Sequence, residues 1–151
     1  MSLKKLIVIQ LIILTIGLSI GVTSGGVLSR DQQAIDIKHY DLRIKVDTKR
    51  KMISGYVDIK MRILDKIRFI ELDLIKQFFI SKILIDSVSM PFKHQQNKIF
   101  ITAQGIKANT TTTIRVVYKG KPPEAEKPPW SGGFTWEKSN DGYPWVGISC
   151  Q

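Results

Sequence analysis

From Tyr40 to Asp47 the chain alternates strictly. Tyr40, Leu42, Ile44 and Val46 are apolar, and Asp41, Arg43, Lys45 and Asp47 are charged. A period of two sends apolar side chains to one side of an extended backbone, so the run predicts a half-buried strand. Thr48-Lys49-Arg50-Lys51 makes a charged turn. Ile53, Gly55, Val57, Ile59, Met61 and Ile63 then alternate with Ser54, Tyr56, Asp58, Lys60 and Arg62. Together the two runs predict a hairpin with one face in water.

The pattern continues downstream. Residues 67–74 (IRFIELDL) predict a third strand, and 78–86 a fourth that is more continuously apolar. Met90-Pro91-Phe92 predicts a short strand at an edge or bulge, because Pro91 has no N–H for a ladder. Turn residues 95–98 lead into a strand over 99–102. Residues 104–109 form a loop around Gly105, and 111–119 a β-branched strand (TTTIRVVYK). Residues 75–82 allow at most one helical turn. The four prolines of residues 121–129 (KPPEAEKPP) forbid helix and sheet interiors and predict a stiff, extended loop. Residues 130–137 and 143–149 predict a last hairpin across Asn140-Asp141-Gly142, since Asp-Gly is a strong turn signal. Short strands at regular spacing predict an all-β chain, an antiparallel β-sandwich.

The amino-terminal stretch reads differently. Lys4 and Lys5 precede an apolar run, Leu6 to Val22, broken only by Gln10, Thr15 and Ser19. As a helix it would reach about 25 Å, short of a bilayer core of about 30 Å. Residues 1–24 are therefore read as a secretory signal helix, with an uncleaved membrane anchor as the alternative. Export, periplasmic or secreted, follows from a signal, and membrane anchoring from an uncleaved segment. Residues 25–33 read as a polar linker and 34–151 as one domain.

Charge and cysteine change this picture little. The formal charge is +10 over 151 residues, which raises nucleic acid or anionic membrane as partners. The cations alternate along strands among Asp41, Asp47 and Asp58, the pattern of a solvated sheet face, so no nucleic-acid partner is expected. A membrane enters only through an uncleaved amino-terminal segment. Cys150 is the only cysteine and cannot form an internal bridge.

Several segments, in order, resemble the first domain of the zinc aminopeptidases related to aminopeptidase N and leukotriene hydrolase. His39-Tyr40-Asp41-Leu42 resembles that family's opening "H-Y-x-L". Residues 53–59 resemble its "x-G-x-V-x-I" strand, Phe69-Ile70-Glu71-Leu72-Asp73 the strand that follows, and Tyr118-Lys119-Gly120 its "Y-x-G". Residues 129–136 (PWSGGFTW) and 145–151 (WVGISCQ) resemble a bacterial branch. The resemblance implies an incomplete aminopeptidase first domain whose partner is a catalytic domain beyond residue 151. It also implies that Gln151 helps hold the α-amino group of a peptide substrate, and that Gly147 and Ser149 let substrate backbone approach. An amide oxygen is a suitable acceptor for an ammonium's three N–H donors.

The motif that would make this chain an enzyme is missing. H-E-x-x-H and G-x-M-E-N are absent, and His39 and His94 are the only histidines. A catalytic zinc needs about three protein ligands and an open position. No catalytic residue, metal ligand or cofactor is therefore assigned here, and zinc belongs to the complete enzyme. Two readings of Trp130, Trp136 and Trp145 stay open. They line a cleft or binding platform, or they pack the last hairpin onto the sandwich. The rival to the peptidase reading is a stand-alone secreted β-sandwich module that binds through these tryptophans. With later strands missing, one sheet edge is expected to be open.

Overall fold

The computed structural model describes residues 26–149. The signal or anchor segment, Cys150 and Gln151 lie outside the described residues. A short helix, α1 (Arg30–Gln33), is followed by ten strands: β1 (Ile35–Asp47), β2 (Met52–Ile63), β3 (Phe69–Asp73), β4 (Phe78–Ile85), β5 (Val88–Ser89), β6 (Phe92–Gln95), β7 (Lys98–Thr102), β8 (Thr111–Gly120), β9 (Gly133–Lys138) and β10 (Pro144–Ser149). All pairings between the strands are antiparallel. The chain is all-β, as its alternation predicts.

Within the stretch read as a polar linker, residues 30–33 form helix α1. Ser29 Oγ accepts from the Gln32 N–H, and the Gln32 side chain accepts from the Ser29 N–H, at 3.1 and 3.0 Å. This capping box satisfies two end donors reciprocally and makes one turn of helix worthwhile. Met90-Pro91 also differs from expectation. The strand there is two strands, β5 at an edge of one sheet and β6 at an edge of another, with Met90 and Pro91 between them. Lacking an N–H, Pro91 sits where the chain leaves one ladder for the next. Residues 75–78 make a single hydrogen-bonded turn, with the Phe78 N–H on Ile75 O at 3.1 Å, and no helix.

Five strands form the larger sheet, in the order β1-β2-β8-β4-β5, and three form the smaller, β3-β7-β6. Their facing sides share one core. Met61 and Ile63 of β2, Ile114 of β8 and Ile83 of β4 pack with Ile70 of β3 and Ile101 of β7, each fully buried. These are the inward members of the alternating runs, so period two delivers them to one interior.

The cover is uneven. On the inner face of the large sheet, cross-strand neighbours form rows. One row runs Tyr40, Ile59, Ile114, Ile85, and the next Leu42, Val57, Val116, Ile83. Ile114 and Ile83 are 0% exposed, whereas Tyr40 is 52% and Leu42 54% exposed. The inward side of β1 is therefore only partly covered, less so over Tyr40 to Val46 than the alternation alone predicts. β3 is an edge of the smaller sheet. Ile35 and Ile37 at the start of β1 pack against the shared core, whereas Tyr40, Leu42, Ile44 and Val46 stay about half exposed. An apolar groove of about 480 Å³ runs there, lined by Leu42, Val57, Leu72, Leu74 and Tyr118 among others.

Candidate functional site

The tryptophan segment folds as its turn chemistry dictates. The Ser139 N–H donates to Tyr143 O, the Gly142 N–H to Ser139 O, and the Tyr143 N–H to Ser139 Oγ, at 2.8, 2.9 and 3.2 Å. Gly142 has φ +81°, the left-handed conformation that glycine adopts without steric cost. β9 and β10 then pair Trp136 with Val146 and Glu137 with Trp145, forming a two-stranded sheet of their own.

The proline loop steers this hairpin. The Phe134 N–H donates to Pro123 O and the Ala125 N–H to Phe134 O, at 2.8 and 2.9 Å. Gly133 lies where a Cβ would meet Ala125 N at 2.7 Å, so the loop can approach only a glycine. Glu124 in turn accepts from Lys51 at 2.8 Å, tying the loop to the β1–β2 turn. This pair is about half exposed on both sides, so it aims the loop more than it stabilises the chain.

The structure does not bring the three tryptophans onto one platform. Trp130 lies in the loop before β9 and is 82% exposed. Trp136 stacks on Phe134, with ring centroids 5.4 Å apart at 23°. Trp145 is opposite Glu137 and so faces away from Trp136 in the two-residue alternation. Its ring lies on Gly147, where a Cβ would come within 2.7 Å of it. Gly147 thus makes room for the Trp145 ring. Trp145 is 52% exposed, and Trp136 is the half-buried one. Its Nε1 is buried with no hydrogen-bond partner among the described residues.

Trp136 and Trp145 each contribute to the wall of a shallow depression of about 620 Å³. Thr48, Lys49 and Lys51 of the β1–β2 turn and Glu137 and Lys138 of the hairpin also line it. Aromatic walls rimmed by cations can hold an apolar or aromatic group and a nearby carboxylate. Gln151, the residue assigned to the substrate amine, lies outside the described residues.

The two histidines are apart in role. His39 is exposed on β1, and His94 Nε2 is 2.9 Å from Leu74 O. Among the described residues no three His, Cys, Asp or Glu side chains converge to hold a metal ion. A tight polar constellation lies on the larger sheet. Arg115 forks onto Asp58 with two bonds of 2.6 Å and lies over the Tyr56 ring at 4.1 Å. Those bonds hold the Asp58 carboxyl below its ordinary range, against the opposing effect of burial. Burial pushes the Tyr118 phenol up. Two features of this region escaped sequence reasoning: the Lys51–Glu124 tie and the partly covered flank of β1. Neither has a local signal, because both depend on segments distant in sequence.

No protein-family model matches the sequence, and no curated protein matches it. Solved structures do resemble it. A two-domain M1 zinc metallopeptidase variant bound to L-arginine matches over 75% of this chain and 28% of its own, at 20% identity and a TM-score of 0.58. The M1 zinc metallopeptidase of Deinococcus radiodurans matches over 73% of this chain and 27% of its own, at 21% identity and a TM-score of 0.56. Native leukotriene A4 hydrolase of Saccharomyces cerevisiae matches over 76% and 19%, at 17% identity and a TM-score of 0.56. The chain thus spans less than a third of the length of the structures it matches. By fold it is like a part of the M1 zinc metallopeptidases and of leukotriene A4 hydrolase, the likeness that its ordered strand motifs imply.

Proposed function

We propose that this chain is the non-catalytic amino-terminal part of an exported zinc metallo-aminopeptidase. In the complete enzyme it caps the active-site cleft, and Gln151 helps hold the α-amino group of a peptide substrate. The observation that carries the reading is the fold likeness to M1 zinc metallopeptidases, joined to family motifs in order from His39 to Gln151. Zinc would supply water activation in the complete enzyme. Among the described residues no three-ligand cluster converges, and this reading assigns the zinc ligands to a catalytic domain, the partner of this chain. The amino-terminal segment exports the protein, or anchors it if uncleaved.

Magnitude limits what this part does by itself. One hydrogen bond from Gln151 contributes about 0.5–1.5 kcal/mol, while even millimolar affinity requires about 4 kcal/mol. The amide therefore tunes an affinity whose larger share comes from elsewhere. In the complete enzyme Gln151→Ala should raise KM for aminoacyl substrates about 2–10-fold, as one such bond implies. The coding region beyond Gln151 should carry H-E-x-x-H. Chelator-sensitive release of amino-terminal residues by the purified 151-residue chain would refute the proposal.

A further inference from the structure

We propose that two copies of this chain join edge to edge through β1, antiparallel about Leu42. β1 lies at one end of the larger sheet. It is 13 residues long and contains no proline, so its outer edge offers an extended row of N–H and C=O groups for pairing. Its inward side chains are apolar and about half exposed, Tyr40, Leu42, Ile44 and Val46 alike. The edge asks for a strand of the same kind, and β1 is one.

Charge complementarity chooses both the partner and the register. β1 carries three acids, Asp36, Asp41 and Asp47, and three bases, Lys38, Arg43 and Lys45. The edge is balanced although the chain is +10, so two copies can meet there without net repulsion. With Leu42 opposite Leu42 of the second copy, Asp41 faces Arg43 of the second copy and Arg43 faces its Asp41. On the other face Tyr40 meets Ile44, so like side chains share one side. Opposite charges directly across a ladder attract and like charges repel. Pairing about Arg43 would set that residue against itself, and pairing about Ile44 would set Arg43 against Lys45. A slip of one residue in one copy alone would turn its apolar side chains to the wrong face. Asp41 and Arg43 already lie side by side within one copy, 3.1 Å apart and exposed, so pairing makes an alternating group of four charges. The two larger sheets become one continuous ten-stranded sheet with a twofold axis, an isologous and closed contact. This inference is independent of the proposed function.

The test is sedimentation velocity on the full chain in a mild non-ionic detergent, which keeps the apolar amino-terminal segment dispersed. Wild type should dimerise at micromolar concentration. D41R and R43D should each weaken dimerisation about tenfold or more, because each places like charges opposite one another. An equimolar mixture of the two variants should restore the dimer, since acids then face bases on both sides. The double variant D41R/R43D should dimerise like wild type, and circular dichroism checks that each variant is folded. A wild-type chain that stays monomeric to about 100 µM, far above a micromolar dissociation constant, would overturn the proposal. So would dimers indifferent to both reversals, or a mixture that fails to restore them.

Discussion

Gly55 shows how much a single position depends on its neighbour strand. It has φ +156°, and a Cβ there would lie 1.8 Å from the Arg43 carbonyl oxygen. The clash is with backbone and cannot be relieved by a rotamer. Gly55→Ala should therefore cost about 3 kcal/mol or more in urea unfolding, the range of backbone strain plus lost pairing. The motif around this glycine is visible in the sequence, but the reason for it is not, because Arg43 becomes its neighbour only when β1 pairs with β2. Asp58 makes the same point in charge. The Arg115 fork lowers its carboxyl below the ordinary range, so the unfolded chain binds the proton more readily than the folded one. The stabilisation is complete above the unfolded value of about 3.9 and is lost as pH falls through the lowered folded value. Asp58 and Arg115 are 22% and 40% exposed. Asp58→Asn should thus cost about 1–2 kcal/mol near neutrality, between an exposed and a buried charged pair. The gap to wild type should close as pH falls through that lowered value, read from urea midpoints across the pH range.

Single elements were legible where the signal is local. The hairpin β1–β2, the strands β4, β7 and β8, the proline loop and the Asp-Gly turn follow from alternation and turn residues. Helix α1 had a local signal in Ser29 and Gln32, a capping box that polarity disguised as linker. Burial was legible only in part. Tyr40 and Ile114 belong to one row and are both apolar, yet one is 52% and the other 0% exposed. Ile114→Ala should cost about 2–5 kcal/mol through transfer and cavity. Tyr40→Ala should cost less than about 1 kcal/mol when measured at concentrations where the chain is monomeric, as for an exposed position. Equal losses at the two sites would mean that β1 is covered in solution.

At the scale of the molecule, stability is graded from the shared core outward. β2, β8 and β4 carry the buried row members, whereas no residue of β9 or β10 is buried. Few buried apolar contacts mean that a segment opens at low free energy. Amides of Phe134 to Trp136 and Val146 to Ile148 should exchange faster than those of Ile114 to Val116, and hydrogen exchange by mass spectrometry measures this directly.

The amino-acid order alone determined the strands, their turns and the inward set of side chains, because period two and turn chemistry are properties of the local backbone. It also carried the family motifs, read in order. What only the tertiary structure decided is which inward side chains are covered. That depends on how the opposing sheet lies, about 10 Å away: Ile35 and Ile37 pack against the shared core, while Leu42 stays 54% exposed. The sequence marks Leu42 as apolar and fit for burial. The tertiary structure leaves it about half exposed, on an edge whose charges match a copy of itself.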